Sequence, residues 1–403
     1  MTEQTAKRRA SDPALFLLEN GALSDKAIVI GAGIGGLACA AALAQRGIAV
    51  TVLEQADAIR EVGAGLQISP NGLNVLSALG CTPALHQTGA VKAEAVVLED
   101  GLDGRTVARL DLARTAPGQY LCVHRADLVS VLASTARDLG VVVELGCRVR
   151  RVLPGAAPGV ELDDGTRRNA DIVICADGLH SVGRNAFGEA PPAHFTGQAA
   201  WRATVPLRGP VPPEVHVVMG PGRHLVSYPL RGGRLLNLVA VEERTEWTEE
   251  GWAHGDDPMH LRRAFAGLMG TRMHLLHNVS AVNIWGLFRH PVAASWYSDG
   301  VALLGDAAHP TLPFLAQGAN LALEDAWVLA QCVAEGDLVA YQGLREARVR
   351  RVIAAAESNA WKYHMRPGLA RSAAHTALRI ASRAAPGLLV GQFDWIYRKD
   401  VTA

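Results

Sequence analysis

The feature that most constrains the fold is an apolar strand that runs directly into a glycine-rich turn. Residues 27–30 are continuously apolar, residues 31–36 have the sequence GAGIGG, and a helical pattern extends to about residue 46. A second apolar stretch, 49–53, ends in Glu54. This order predicts a βαβ unit in which Gly31 permits a tight turn, Gly33 lets a pyrophosphate approach the backbone, and Gly36 lets helix and strand pack closely. Glu54 lies 18 residues beyond Gly36, where a carboxylate can bind a ribose hydroxyl. We therefore predict a dinucleotide site, for either FAD or NAD.

Two later segments also end an apolar strand with an acidic turn. The run at 301–304 leads into Gly305 and Asp306, a proline-containing loop, and a helical pattern over about 318–334. A carboxylate at a strand end can accept hydrogen bonds from a polyol chain, and free N–H groups at a helix start can face a partly negative ring edge. The run at 171–178 ends in Asp177 and Gly178, which alone predict only a turn.

The bulk composition is that of a globular enzyme and argues against several other classes. The chain has 403 residues, a formal net charge of zero and no long cluster of Lys or Arg, which argues against a nucleic-acid partner. None of the six cysteines stands in a CxxC or Cys/His pattern, so we predict reduced thiols and no metal site. The apolar part of residues 1–25 is too short for an export signal. We expect a cytoplasmic protein, a monomer or homodimer, without stable membrane association.

The order of the predicted elements indicates an α/β fold with an inserted sheet. Helical patterns lie near 71–79 and 125–138, and strand patterns near 94–99, 141–145 and 172–175. Residues 190–245 change to strand patterns separated by Gly and Pro turns, which is typical of an antiparallel sheet. The predicted divisions are an N-terminal extension (1–25), a Rossmann-type domain in two parts (26–189 and 291–338), a sheet-rich substrate domain (190–290) and a helical C-terminus (339–403).

Taken together, the three strand-end motifs have the order and spacing of a known enzyme family. Over about residues 26–398 the chain resembles the single-component flavoprotein monooxygenases that hydroxylate aromatic rings, especially the salicylate, 3-hydroxybenzoate and 6-hydroxynicotinate hydroxylases. The sequences VGAGLQISPN at 62–71, HRADL at 124–128 and WIY at 395–397 add to the resemblance. It implies that the Rossmann-type domain binds FAD. NADH or NADPH would then be a transient co-substrate, because no second GxGxxG stands between a strand and a helix.

The resemblance implies a cofactor role for each motif. The residues expected along the ADP half and the pyrophosphate are Gly31, Gly33, Gly36, Glu54, Val149 (through its backbone), Asp177 and Gly178. Those expected along the ribityl chain and the ring are Arg125, Gly305, Asp306, Gly318, Ala319 and Asn320. The last three would present helix-start N–H groups to the pyrimidine edge of the flavin and stabilise negative charge there.

The expected substrate residues come mostly from the middle sheet. His224 and Tyr228 are four apart in a strand pattern, so both side chains point to one face. Related hydroxylases carry a His and a Tyr at this spacing, which implies that His224 takes the proton of a ring hydroxyl. From the residues alone, the alternative is a satisfied sheet histidine beside a tyrosine. Gln67 and Pro313 match pocket positions, although some relatives have His or Gln around 313–314, so this pocket is more apolar. Arg202 could bind a carboxylate or form a surface ion pair, and is left unassigned.

The predicted activity is hydroxylation of a small phenolic acid or hydroxypyridine by FAD, NAD(P)H and O₂, through a flavin C4a-hydroperoxide. Three alternatives remain open. They are a flavin monooxygenase for a larger non-phenolic or polyketide-like substrate, a non-catalytic flavin-binding redox protein, and an NAD-dependent dehydrogenase without flavin. The Trp-x-Trp sequence of the flavin halogenases is absent, which argues against halogenation.

Overall fold

The computed structural model describes residues 25–59, 64–112, 118–188, 191–246, 250 and 254–403. Its strands are β1 (Lys26–Ile30), β2 (Ala49–Leu53), β3 (Gly65–Ile68), β4 (Val91–Lys92), β5 (Ala95–Asp100), β6 (Thr106–Asp111), β7 (Leu121–His124), β8 (Val142–Glu144), β9 (Val149–Leu153), β10 (Gly159–Leu162), β11 (Arg167–Asn169), β12 (Ile172–Cys175), β13 (His194–Pro206), β14 (Glu214–Gly220), β15 (Arg223–Leu230), β16 (Leu235–Glu243), β17 (Gly255–Asp256), β18 (Val282–Arg289), β19 (Tyr297–Ser298) and β20 (Val301–Leu303). Its helices are α1 (Ile34–Ala44), α2 (Pro70–Ala78), α3 (Thr82–Gln87), α4 (Arg125–Asp138), α5 (Pro258–Ala264), α6 (Gly318–Glu335), α7 (Leu338–Tyr363), α8 (Leu369–Ala384), α9 (Pro386–Gly391) and α10 (Asp394–Tyr397). Short 3₁₀ helices span Gly183–Phe187, Met273–Asn278, Gly305–Ala307 and Pro313–Leu315. Residues 1–24 of the predicted extension, and Val62 and Gly63 of the second glycine-rich sequence, lie outside the described residues.

The first sheet contains the predicted βαβ unit, which is confirmed. Its described strands lie in the order β19-β20-β12-β1-β2-β8, and every neighbouring pair from β20 to β8 is parallel. Strand β12 is buried along its whole length, as an apolar strand covered on both faces should be. Helices α1 and α6 pack against each other. Because parallel neighbours end at one edge, the turns after β1, β12 and β20 meet there, and with them the three motifs.

The second sheet is mixed, with the strand order β17-β18-β13-β16-β15-β14-β5-β6. The strands predicted within 190–245 are confirmed as β13 to β16, which pair antiparallel wherever they are neighbours. Strand β14 also pairs in parallel with β5, which precedes it by more than a hundred residues. The sheet therefore recruits β5 and β6 from a segment that the sequence predicts for the Rossmann-type part. The predicted domain boundaries remain predictions.

The two faces of this second sheet have different surroundings. Leu225 of β15 belongs to an apolar cluster that includes residues of α5, such as Leu261, and of the 3₁₀ helix Met273–Asn278. Its neighbours His224, Val226 and Tyr228 alternate to the opposite face, which lines a cavity. The prediction that His224 and Tyr228 share one face is confirmed.

The remaining elements close the space between the two sheets. A small sheet, β3-β7-β4, brings Gln67 beside the cavity and delivers Arg125 at the start of α4. The C-terminal helix α8 packs on β6. It is fastened by Arg371 and His375, which bind the buried Asp100 at 2.8 and 2.9 Å. No helix in the described part of the chain is long and apolar enough to cross a membrane.

Candidate active site

A cavity of about 1230 Å³ lies where the carboxyl edge of the six-stranded sheet meets the second sheet. Pockets for small ligands hold roughly 300–1,000 Å³, so this cavity is larger than a site for one small ligand requires. Of the site residues predicted from the sequence, all line the cavity except Gly36 and Asn320. The fold thus brings together segments that are up to about three hundred residues apart in the chain.

The glycine turn forms one end of the cavity. Gly31 has a φ of +98°, and a methyl group on it would come within 2.7 Å of the Ala176 carbonyl oxygen at the end of β12. A methyl group on Gly36 would overlap the Gly31 carbonyl oxygen, so Gly36 serves the packing of α1 on its own strand. A methyl group on Gly33 would meet no atom within 4 Å. Gly33 therefore borders open space at the helix start, where an anionic group can approach the backbone.

Glu54 is held in a fixed position at the end of β2. One carboxylate oxygen accepts a hydrogen bond from Ala32 N at 2.8 Å, and the other accepts one from Ala56 N at 2.9 Å. Each carboxylate oxygen can accept further hydrogen bonds, so a ribose diol can still be bound. Val149 and Gly178 line the same part of the cavity, and Gly178 has a φ of +77° with open space around it.

Asp177 and Asp306 are the carboxylates that face the middle of the cavity. Asp306 is exposed to the cavity but surrounded by protein, and this burial raises its pKa above the ordinary range. Burial also raises the pKa of Asp177, whose Oδ2 accepts from Val182 N at 2.8 Å. Within the described residues, Asp177 Oδ1 is buried and has no hydrogen-bond partner. An unsatisfied acceptor of this kind fits a ligand that brings hydroxyl donors.

The start of α6 forms the other end of the predicted cofactor site. Gly318 and Ala319 line the cavity, and a methyl group on Gly318 would come within 3.2 Å of Thr311 Oγ1. Asn320 lies behind them and is fully buried. Its amide donates to the carbonyl of Gln67 at 3.1 Å, and its Oδ1 accepts from Ser69 N at 3.1 Å. Asn320 therefore ties the helix start to β3 and acts on the cavity only through its neighbours.

A buried cluster of charges holds the loop between β20 and α6 in place. Asp325 of α6 accepts a hydrogen bond from Arg345 Nε at 2.7 Å and lies 2.5 Å from His309 Nε2. All three side chains are essentially inaccessible to solvent. His309 lies three residues after Asp306 in the chain. The pairing explains how a polar loop can be held rigidly inside the core.

Taken together, these residues fit FAD. The uncrowded Gly33 suits a pyrophosphate, and Glu54 suits a ribose. Asp306 suits a hydroxylated chain, and the amide end of α6 suits a ring edge that becomes negative. When bound, FAD would supply electron transfer and oxygen activation. Arg125 and Val149 line the cavity along the same path.

The substrate side of the cavity has a hydrogen-bonded polar wall. Tyr228 is buried and lies within hydrogen-bonding reach of Gln67 and Asn237, while burial raises its pKa above the ordinary range. Tyr120 donates to Gln67 Oε1 at 2.8 Å, so the amide links two tyrosines. Pro313 lines the cavity at the start of a 3₁₀ helix.

His224 lies beyond this wall in apolar and aromatic surroundings. It is 2% exposed, and its ring centroid lies 5.9 Å from that of Phe314 and 5.2 Å from that of Tyr363. Burial, together with the nearby His364, lowers the pKa of His224 well below its ordinary value. His224 is therefore neutral at pH 7 and has a lone pair available as a base.

Arg202 lines the same chamber. Its position in the cavity lining favours the first of the two interpretations, a residue that could bind a carboxylate. Its guanidinium lies 5.3 Å from the centre of the Trp285 ring, and burial lowers its pKa. Tyr228 and Arg125, which are part of the same cavity lining, also act electrostatically on this guanidinium. A buried cation here can offset a buried anionic group of a ligand.

Sequence reasoning missed several residues around His224. Tyr363 lines the cavity from the end of α7, and His364 lies next to it in the chain. Neither belongs to a motif, and both come about 140 residues after His224. The available signal was weak: adjacent Tyr and His residues at the end of a long helical pattern.

Comparisons with known proteins agree with this geometry. A family model described as "FAD binding domain" matches residues 25–354. The 3-amino-4-hydroxybenzoate 2-monooxygenase of Streptomyces cremeus is 37% identical over 355 residues, which cover 84% of this chain and 88% of that protein. The 3-hydroxybenzoate 6-hydroxylase of Klebsiella oxytoca is 31% identical over 357 residues, covering 84% of this chain and 89% of that protein.

Solved structures extend the comparison to the fold. HpxO of Klebsiella pneumoniae, solved with FAD and uric acid, matches with a TM-score of 0.78 at 28% identity, covering 92% of this chain and 96% of that one. A salicylate hydroxylase substrate complex matches with a TM-score of 0.77, covering 94% of this chain and 96% of that one. Its identity is 23%, so this second likeness shows the fold alone.

Proposed function

This chain belongs to the FAD binding domain family and is a flavin-dependent aromatic monooxygenase, and from that premise we propose that its substrate is a small phenol bearing a carboxylate. The reaction would consume NAD(P)H and O₂ and add one oxygen atom to the ring. The observation that carries the proposal is that a neutral, buried His224 and a partly buried Arg202 lie on the walls of one cavity. His224 suits a ring hydroxyl, and Arg202 suits a carboxylate.

The proposed roles follow from the chemistry of each side chain. His224 accepts the proton of the ring hydroxyl, which makes the ring more electron-rich and a better nucleophile. Arg202 offsets the carboxylate and fixes the orientation of the ring. Tyr228, held by Gln67 and Asn237, donates or accepts a hydrogen bond at the ring edge. The names of two relatives, a 3-amino-4-hydroxybenzoate and a 3-hydroxybenzoate hydroxylase, support this substrate class.

The apolar part of the lining has a separate role. Val217, Val226, Val239 and Phe314 face the chamber, and Pro313 adds no N–H donor. A dry chamber strengthens the electrostatic interactions of the polar groups and protects reactive flavin states from water. The cofactor roles proposed for Gly33, Glu54 and Asp306 rest on the fit described above. Since the reaction would use NAD(P)H, we propose a cytoplasmic location.

The direct experiment is to measure NADH and NADPH oxidation by the FAD-loaded protein, with product and H₂O₂ assayed separately. The substrates would be 3-amino-4-hydroxybenzoate, 3-hydroxybenzoate and salicylate. Matched controls are benzoate, which lacks the hydroxyl, and phenol, which lacks the carboxylate. We expect stimulated oxidation and a hydroxylated product only with compounds that carry both groups. Equal stimulation by phenol, or product from a large neutral aromatic only, would refute the proposed substrate class.

The role of Arg202 can be tested with the variants R202Q and R202K. Loss of the cation from a buried ion pair costs about 2 kcal/mol or more, equivalent to roughly a 30-fold rise in KM for the carboxylated substrate. R202K should recover part of the affinity, since it keeps the charge but not the planar geometry. A rise of the same size for the uncharged phenol would show that the effect is structural.

A further inference from the structure

Three titratable side chains form a continuous chain that begins at the substrate chamber. His224 Nδ1 lies 2.7 Å from His364 Nε2. His364 Nδ1 lies 3.0 Å from Glu243 Oε1. Both distances are those of hydrogen bonds. The chain links the start of β15, the residue after α7 and the end of β16.

Exposure increases sharply along this chain. His224 is 2% exposed and lines the cavity. The side chain of His364 is 1% exposed, and that of Glu243 is 47% exposed. The cavity wall is therefore connected to the protein surface through a single buried imidazole.

The carboxylate at the outer end determines the protonation pattern of both rings. Glu243 can only accept, so His364 carries its proton on Nδ1 and has its lone pair on Nε2. That lone pair accepts from His224, so His224 carries its proton on Nδ1. The lone pair of His224 is then on Nε2, the ring nitrogen that does not face His364. This is the form that a general base requires.

The backbone holds the outer end of the chain in place. Gly222, in the turn between β14 and β15, donates its N–H to the His364 carbonyl at 3.1 Å. The carbonyl of Gly222 accepts from Glu243 N at 2.8 Å. This turn therefore holds the backbones of both His364 and Glu243. It helps to fix the distance between the imidazole and the carboxylate.

We propose that His364 and Glu243 form a proton relay that carries the hydroxyl proton of the substrate from His224 to solvent. The proposal rests on the proposed function, because it needs a phenol in the chamber. The O–H bond of the phenol breaks as an N–H bond forms at His224 Nε2. The Nδ1 proton of His224 passes to His364 Nε2, and the Nδ1 proton of His364 passes to Glu243. Glu243 then releases one proton to water, and no oxidant or reductant takes part.

The surroundings of the relay leave few competing proton acceptors. Among the described residues, Tyr363 is an ionisable ring beside His224, and burial raises its pKa to about 12, so it stays protonated. Burial lowers the pKa of His364, against the opposing effect of Glu243. The neighbouring Glu242 turns away and binds Arg244 at 2.6 Å. Glu242 thus provides a matched control in the same strand.

The test uses FAD-loaded enzyme and 4-hydroxy-3-nitrobenzoate, a phenol whose ionised form absorbs visible light. Appearance of the bound phenolate after a pH jump is followed by stopped-flow absorbance in wild type, E243Q, H364Q and E242Q. Positioned acid–base groups contribute about 10²–10⁴-fold to proton transfer, so we expect E243Q and H364Q to slow phenolate formation at least about tenfold. E242Q should match wild type. Added acetate or imidazole buffer should restore much of the rate in E243Q, whose missing acceptor is at the surface.

The outcomes separate the relay from the proposed function. Wild-type rates in E243Q and H364Q, in an enzyme that hydroxylates a phenol, would overturn the relay alone. Slowing in E243Q that buffer does not relieve would also overturn it, because a purely structural defect is insensitive to buffer. If the wild type binds no phenol and oxidises NAD(P)H with none, both proposals fail. Should H364Q not fold, E243Q decides the question, since Glu243 is half-exposed.

Discussion

Gly33 and Gly36 lie three residues apart in one turn, yet the structure gives their alanine variants opposite defects. A methyl group on Gly36 would overlap the carbonyl oxygen of Gly31, which is backbone and cannot rotate away. Overpacking costs about 1–3 kcal/mol, against about 1 kcal/mol gained by replacing glycine in a helix. Because the overlapped atom is backbone, the cost should lie at about 2–3 kcal/mol, and we expect G36A to lose about 1–2 kcal/mol of unfolding free energy. G33A should lose none, because Gly33 has φ −75° and ψ −176° and open space around it.

For G33A we expect weaker FAD binding and no loss of stability. The methyl group of G33A would fill the space that the pyrophosphate is proposed to occupy. A hydrogen bond to a charged group contributes about 1.5–3 kcal/mol, so losing one should weaken FAD binding about 10- to 100-fold. Quenching of flavin fluorescence on titration of the apoprotein measures this directly.

Urea unfolding of the apoprotein measures these changes in stability better than thermal unfolding does. Unfolding entropy is about 2.1 cal/mol/K per residue, so a chain of 403 residues shifts its Tm by only about 1 °C per kcal/mol. The reasoning is refuted if G33A binds FAD as tightly as wild type. It is also refuted if G36A is as stable as wild type, since the predicted overlap would then not exist.

Two further predictions concern the base and the buried charges. H224A should slow hydroxylation by about 10²–10⁴-fold while leaving flavin reduction nearly unchanged, and stopped-flow kinetics would separate the steps; equal slowing of both with FAD still bound would contradict its role as base. D325N should cost about 1.5–3 kcal/mol of unfolding free energy, because it removes the charged acceptor shared by Arg345 and His309, while Arg345 keeps its ion pair with Glu324. Burial alone would raise the pKa of Asp325, but the charges of His309 and Arg345 outweigh it and lower that pKa. A lowered pKa in the folded state means that this contribution is present above the unfolded pKa of about 3.9 and is lost as pH falls through the folded value. Urea unfolding at neutral and acid pH should therefore show the D325N defect shrink as the pH falls.

The sequence could predict which residues meet at the proposed cofactor end of the cavity, because that end is made of local motifs. Gly31, Asp177 and Gly305 each follow an apolar strand, and parallel pairing alone brings the three strand ends to one edge. His224 and Tyr228 were predictable for a similar reason, since a strand alternates its side chains with a period of two.

The rest of the site depends on contacts that no local pattern records. Arg202 lies on β13, and the sequence does not show which elements cover each face of that strand. Carboxylate binding and a surface ion pair therefore both remained open. His364 reaches His224 only because α7 runs back across the sheet for 26 residues. Asn320 was expected to present its backbone N–H to the cavity, but it does not line the cavity, and its side chain binds Gln67 and Ser69 behind the wall.

The low pKa of His224 makes a route to solvent necessary for its role as a base. A phenol has a pKa of about 10 and an ordinary histidine about 6.5, so a proton held on His224 would cost at least about 5 kcal/mol. Burial lowers the pKa of His224 further, so the phenolate would recover that proton almost at once. If the proton instead leaves through His364 and Glu243, the cost depends on the bulk pH and on how well the cation of Arg202 stabilises the anion. Ionisation of a bound phenol should then follow the pH of the solvent although the chamber is buried, which an isolated histidine could not achieve.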